Sequence, residues 1–409
     1  MATSLIITYE QALYFRAIRG HLAGPGVAGD AAESALQIAR TMVGVQSQQL
    51  GPSSYGVCIR ARQRPTAAAI KSALMTSERK RVVRTWAQRE TLHLLDPVDW
   101  PVVVAARAHW ANAGRRNLPP TEADLASALA FVTTSERLVT RSDLTDELSD
   151  TFMATVRPHI EKNAKYLFKT PPTDAELDEA IRRFCAGRLL WQLCNLGLLS
   201  AADKIGREQA YAPRAQWFPD LAWPELDPDD ANRQLIRRYL AVAAPATAQD
   251  ISHFFNARMS HVKRWLGQLA DELVAVECGA KKGLLALRAD AELLQRAISA
   301  DVDWPVRMLP MWDGMMMTHA DKTWTLPDTS EHKLVWRRAA VVAPVVLVRG
   351  QIVATWRHKL KAKRVDVTLT KLKGWANAEA ERGATLMAAV QAQADDLAAH
   401  LDLPEAAVK

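Results

Sequence analysis

Cysteine is scarce in this chain: four residues in 409, Cys58, Cys185, Cys194 and Cys278, with no C-x-x-C pair among them. That scatter excludes a disulfide framework or a thiolate zinc site and points to buried thiols in a reducing compartment. Apolar runs are short as well, and none reaches the roughly 18 residues needed to cross a bilayer. The N-terminus, MATSLIITYEQALYF, lacks the basic start, apolar core and small-residue cleavage site of a secretory signal, so a cytosolic protein is expected. Missing too are G-x-G-x-x-G, a Walker loop, G-x-S-x-G and H-E-x-x-H, which removes the main signals for nucleotide binding, triad hydrolysis and zincin chemistry. The ten His residues never fall at metal-ligand spacing. Neither a cofactor nor a metal is expected.

What the chain does have is an uneven charge. Its net charge is +7, yet Lys333 to Lys373 holds eleven Lys/Arg against the single acid Asp366, so this tenth of the sequence carries +10 and the remainder −3. A solvated basic face is one explanation. Concentration of the whole excess in one segment favours a surface that meets a polyanion. With 49% apolar and 24% charged residues, the composition is that of a folded soluble protein, and its length suits roughly two to four domains or repeated modules.

One order of elements reads three times over: helices, then a short hairpin. In the first, TYEQALYFRAIRGHLAG is amphipathic at helical spacing, and AAESALQIARTMVGVQSQQL reads as a second helix stopped at Gly51-Pro52. A helix capped by Thr66, a basic turn and a β-rich Val82 to Leu95 follow. The second comprises TRSDLTDELSD, a loop-rich stretch with Lys and Pro, the helical DAELDEAIRRFCAGRLLWQLCN and two strands around Gly206. In the third, Pro245-Ala246-Thr247 opens a short helix, Met259 to Leu269 forms the next, and a hairpin turns on Gly279 to Gly283. There Ile251, Phe254, Val262, Trp265, Leu266 and Leu269 suit the small core of a helix-turn-helix. From Arg307 onward strands dominate, with a hairpin at Arg349-Gly350, a further strand in RVDVTLTKL and a terminal helix. The fold class expected is α+β, mainly α: three tandem winged-helix modules over 1–115, 116–225 and 226–300, forming a concave scaffold, and a β-barrel-like subdomain with a closing helix over 301–409.

The segments VGVQSQ, TWAQRETLHLLDPVDW, MLPMWDGMMMTHADKTW and LVRGQIVATWR, taken in order across nearly the whole chain, resemble the winged-helix DNA glycosylases of the AlkZ and YcaQ type. The resemblance implies three winged helices joined to a C-terminal β-barrel, and an enzyme acting on alkylated and cross-linked DNA. The AlkZ-like branch carries a catalytic Gln-aliphatic-Gln, and Gln46 and Gln48 match its two amides. Ser47 stands at the aliphatic position, and Glu90 where Gly is expected. Trp312 and Asp313 fit the family pattern, whereas Met315, Met316 and Met317 are assigned to packing.

Neutral amides make chemical sense against a base alkylated at N7 or N3. Such a base is cationic and already a good leaving group, so the acid that ordinary glycosidases require is unnecessary. What remains is to hold a water on the right face of the sugar, which an amide does with its carbonyl and its two N–H donors. Residues i and i+2 share a side only in an extended or 3₁₀-like segment, so Gln46 and Gln48 are expected at an irregular turn or helix end. By spacing alone, two Gln residues capping a helix end fit as well; the resemblance selects the catalytic role. Thr91 and His93 alternate in a strand and are candidates to face the site or the DNA backbone, as is Arg349 at its hairpin tip. Arg357, Lys359, Lys361, Lys363 and Arg364 are expected to meet phosphates. The expected function is a monofunctional DNA glycosylase for N7-alkylguanine-type purines, cross-linked ones included, working as a monomer on double-stranded DNA in the bacterial cytosol. Its rivals are a non-catalytic winged-helix regulator or scaffold, and a self-resistance protein that sequesters the alkylating agent.

Overall fold

The structure, a computed structural model, describes residues 4–75, 82–110, 120–298 and 304–409. The expected basic turn after Met75 lies outside the described residues. Among them the chain is mainly helical, with three three-stranded sheets and one five-stranded sheet. No helix among these residues is long and apolar enough to cross a membrane.

The first small sheet orders Val45–Gln46, Leu92–Leu95 and Val83–Trp86, all antiparallel. The helix before it, Ala31–Thr41, starts in a capping box between Asp30 and Glu33. It ends nine residues earlier than the sequence reading placed it. Val43 and Gly44 turn left-handed at φ 57° and 95°, and Gly44 is enforced because a Cβ there would lie 2.8 Å from Leu95 Cδ2. Gly51-Pro52 therefore stops nothing. It sits in the first turn of the helix Leu50–Cys58, where proline's missing N–H has no intrahelical partner to lose.

In the second unit the sheet orders Val139–Thr140, Glu208–Pro213 and Leu199–Ile205. The stretch read as loop-rich is instead an 18-residue helix, Asp150–Leu167, with Pro158 inside it. Its buried Phe152, Val156 and Ile160 recur every four residues and pack in one apolar cluster with Leu189 and Leu193 of the helix Asp174–Asn195. That stripe offsets a proline cost of about 3 kcal/mol.

The third sheet uses a strand from the far end of the chain. Leu5–Ile6 pairs in parallel with Leu273–Cys278, which pairs in turn with Lys281–Leu287. The hairpin turns on Gly279-Ala280, tighter than the expected five residues, because Lys281 already belongs to the strand. Thr247 and Asp250 form the capping box of Ala248–Phe255, and all six residues expected in the helix-turn-helix core are buried. Arg16 of the first helix, Tyr9–Arg19, donates to the carbonyls of Ala243, Ala244 and Pro245, so the start of the chain is locked into this unit.

The last sheet orders Arg307–Leu309, Val345–Val348, Gln351–Leu360, Arg364–Lys371 and Glu405–Val408. Its two end strands are not paired with each other among the described residues, so it is an open sheet and the expected closure is not shown. The terminal helix is two helices, Gly374–Arg382 and Ala384–His400, broken at Gly383. The final strand pairs in parallel with Arg364–Lys371, and nothing in its short sequence signals it.

Candidate active site

Gln46-Ser47-Gln48 follows the left-handed turn at Val43-Gly44 and is extended where it meets the strand Leu92–Leu95. Gln46 pairs with His93, and Ser47 N–H donates to the Leu92 carbonyl at 2.6 Å. An extended backbone sends alternate side chains to opposite sides. Ser47 is fully buried, with its hydroxyl 2.9 Å from that of Ser53. Gln46 is half-buried and Gln48 exposed. Ser47 thus anchors the segment and frees its two neighbours to face outward.

Both amides are oriented by donors that cannot accept. Arg89 Nη2 donates to Gln46 Oε1 at 3.1 Å, and the Leu92 N–H donates to Gln48 Oε1 at 3.2 Å. Each carbonyl oxygen must face its donor, so neither amide can flip without losing a bond. The two Nε2 groups have no hydrogen-bond partner among the described residues. Each amide therefore offers both N–H groups and one carbonyl lone pair to whatever occupies the site.

The segment lies where the first unit meets the second and the third. Arg84 donates through Nη2 to the Ser47 carbonyl at 2.8 Å and through Nη1 to Gln209 of the second unit. Trp86 stacks on Tyr211, ring planes 8° apart. On the opposite side, Arg89 Nη1 donates to the Phe254 carbonyl of the third unit at 2.9 Å, and its guanidinium lies over the Phe254 ring. Burial pulls the Arg89 guanidinium down to about 10, leaving it charged near neutrality.

Arg89 and Glu90 are both left-handed, at φ 54° and 60°. The backbone at position 90 is one that glycine adopts without cost, which accounts for the glycine expected there. Glu90 tolerates it while its carboxylate pairs with Arg107 Nη2 at 2.9 Å; Arg107 also donates to the Ala87 carbonyl. Strain of about 1–3 kcal/mol per residue is typical of such backbone and is sustained only by bonds of this kind.

His93 is buried and Thr91 half-buried, both bonded within their own loop, against the expectation that they face the DNA backbone. The Thr91 hydroxyl donates to the Gln88 carbonyl, and His93 is buried with Nδ1 2.9 Å from the Thr91 carbonyl. Burial, reinforced by Arg89, lowers His93 to about 3, so it is neutral. Both residues build the loop that presents Arg89. Arg349 is likewise corrected: it donates to Glu10 at 2.7 Å and lies over Trp304. Gly350 beside it packs so closely that a Cβ would sit 2.9 Å from Leu13 Cβ. The tip of that hairpin is docked on the first helix.

The other basic residues lie on the hairpin between Gln351–Leu360 and Arg364–Lys371. Arg357, Lys359, Lys361 and Lys363 are exposed, without ion pairs among the described residues. Arg364 is partly neutralised by Asp366 at 2.8 Å. Sequence reasoning missed Arg84 and Arg89, because an arginine in a strand or loop carries no signal of what it will hold. It also left Asp313 without a role. Both Asp313 oxygens accept from Arg60, at 2.7 and 2.8 Å, and one caps Met315 N–H. Met315 and Met316 are buried, as packing residues should be.

A family model described as DNA glycosylase AlkZ-like matches residues 39–400. The interstrand DNA cross-link repair glycosylase of Streptomyces sahachiroi is 22% identical over 336 residues, 79% of this chain and 82% of that protein. The solved structure of the Streptomyces sahachiroi DNA glycosylase AlkZ superposes with a TM-score of 0.71 at 19% identity, covering 100% of both chains.

Proposed function

The chain belongs to the AlkZ-like DNA glycosylase family, and from that premise we propose that it hydrolyses the N-glycosidic bond of N7-alkylguanine-type purines in duplex DNA. By analogy with the cross-link repair glycosylase it resembles, the substrates include interstrand cross-links. The observation that carries this reading is the pair of outward amides, each held by a donor at its carbonyl. With a leaving group already cationic, the site needs no acid. Gln46 and Gln48 hold a water against the sugar, accepting a hydrogen bond from it and steadying its oxygen through N–H donors; the glycosidic electron pair leaves on the base, the water oxygen bonds C1′ of the oxocarbenium-like state, and the surplus proton passes to solvent. The product is an abasic site. The three small sheets with their helices are read as three winged-helix modules, over 1–115, 116–225 and 226–300, with 301–409 as the β-subdomain. The enzyme acts as a monomer in the cytosol, on DNA associated with the nucleoid. Incubation with an N7-methylguanine duplex followed by alkali should give strand breaks at the lesion; an intact strand would leave the regulator or the sequestering protein in its place.

Arg89 is a positioning residue in this scheme. Arg89→Lys keeps the charge but loses the two-armed bridge between Gln46 and Phe254. A fall in kcat of about tenfold, the scale of one or two lost charged hydrogen bonds, is expected with little change in KM. A rise in KM at constant kcat would place Arg89 in DNA binding instead. The basic hairpin makes the phosphate contacts. Replacing Lys359, Lys361 and Lys363 together by Ala should lower the slope of log affinity against log salt by roughly 2 to 3, at about 0.9 per contact. An unchanged slope would remove this hairpin from the interface.

A further inference from the structure

Ser47, between the two proposed catalytic amides, is bonded through every polar group it has. Its carbonyl accepts from Arg84 Nη2 at 2.8 Å and from Arg84 Nε at 3.2 Å, and its N–H donates to the Leu92 carbonyl at 2.6 Å. The side chain adds a directed run of donors. Ser53 Oγ lies 2.9 Å from the Leu50 carbonyl, which can only accept, so the Ser53 proton points there and the Ser47 hydroxyl donates to Ser53 Oγ at 2.9 Å. That leaves a lone pair on Ser47 Oγ for Arg84 Nε at 3.3 Å. An aliphatic side chain at position 47 would fill the same buried space and offer Arg84 the carbonyl alone.

Arg84 is itself only 6% exposed, and a buried guanidinium N–H left without an acceptor is costly. Its remaining arm, Nη1, donates to Gln209 Oε1 on the strand Glu208–Pro213 of the second unit. Gln209 stands opposite a bulge in the neighbouring strand, where the register shifts between Ala201 and Lys204. Its Nε2 donates to the Ala202 carbonyl at 2.5 Å and to the Ala210 carbonyl at 2.9 Å. Both partners are acceptors only, so the amide has one orientation and Oε1 must face Arg84. Hydrogen bonds thus run without a break from the second sheet to the peptide group that joins Ser47 to Gln48. Gln46 has a separate line, through Arg89 to the Phe254 carbonyl of the third unit.

We propose that Gln209 is a positioning residue for excision: by holding Arg84 it fixes the Ser47–Gln48 peptide, so that the second unit sets the placement of Gln48 as the third unit sets that of Gln46. The proposal rests on the glycosylase reading and adds a requirement to it. The two amides converge on one water only when both flanking units are seated against the first. Gln209 touches no substrate in this scheme and acts through Arg84.

Two replacements separate positioning from support of the fold. Gln209→Leu and Gln209→Glu both lose the Nε2 bonds to Ala202 and Ala210 and so share any damage to the bulge, but only Gln209→Glu keeps an oxygen for Arg84. With protein in excess over an N7-methylguanine duplex, Gln209→Leu should excise about tenfold more slowly, the scale of one lost charged hydrogen bond, at an affinity within about twofold of native. Gln209→Glu should recover most of that rate. A native rate in Gln209→Leu, or equal slowing in both variants, would overturn the proposal. Hydrogen exchange gives a second reading that needs no chemistry. The Ser47 N–H, followed by mass spectrometry of the proteolytic fragment that contains it, should exchange about tenfold faster in Gln209→Leu and close to the native rate in Gln209→Glu. Unchanged protection in Gln209→Leu would count equally against the proposal. Failure of the native protein to release N7-methylguanine would end the glycosylase reading and leave the exchange comparison to judge the positioning.

Discussion

Gln46→Ala and Gln48→Ala are each expected to slow N7-methylguanine excision about a hundredfold or more, the scale of a lost group that positions or deprotonates water, while affinity for the duplex stays close to that of the native protein. The two amides differ in how they are held. Gln46 is gripped by a side chain, Arg89, and Gln48 by a backbone N–H of the neighbouring strand. On the proposal that both serve one water, the double variant should be little worse than the weaker single variant, the non-additivity expected of groups that act as a unit. Single-turnover rates on lesion duplex, with binding measured separately, give the answer. Native rates in the double variant would end the assignment; multiplying effects would mean two separate roles. Gln46→Glu is a sharper probe. A carboxylate would keep the bond to Arg89 but lose both N–H donors, so a rate close to native would show that the carbonyl side of the amide does the work.

The largest expected loss of stability is at a distance from this site. Asp313→Ala should destabilise the protein by about 3–5 kcal/mol, the usual cost of stranding one partner of a buried ion pair. Arg60 and Asp313 expose only 3% and 2% of their side chains. Arg60 also donates to the carbonyls of Gly20 and Gly56, so its guanidinium cannot swing out to water when the carboxylate is removed. The pair joins the turn after the helix Leu50–Cys58 to the turn after the strand Arg307–Leu309, and Asp313 additionally caps a short helix. Urea unfolding provides the measurement. Asp313→Asn, which keeps an acceptor for the cap, should lose less, and Arg60→Ala with Asp313→Ala should cost less than the two single changes added. A midpoint for Asp313→Ala equal to that of the native protein would mean that water reaches Arg60 and the pair is not buried in solution.

Much of the secondary structure was legible because its signals are local. The helix start at Thr247, a capping box with Asp250, and the hairpin at Arg349-Gly350 act within a few residues. Legibility failed where a distant contact overrode a local rule. Pro158 continues a helix because Phe152, Val156 and Ile160 have a partner helix to pack on. Gly51-Pro52 begins a helix because the left-handed turn at Val43-Gly44 has already ended the previous one. Arg349 looked like an exposed hairpin tip until the first helix supplied Glu10.

By itself the sequence determined the family and singled out the amide pair, since Gln46 and Gln48 stand in three consecutive residues; the left-handed turn at Val43-Gly44 that makes the segment extended came only with the structure, because the sequence reads as helix through to Leu50. It also located the basic segment, because net charge is a sum over residues and needs no fold. Only the tertiary structure decided which atoms of those amides face the site. That choice belongs to Arg89 and Leu92, and Arg89 is held by Phe254, more than 160 residues away. It decided, too, that Thr91 and His93 support the site from within, as burial depends on what the rest of the chain brings to cover a strand.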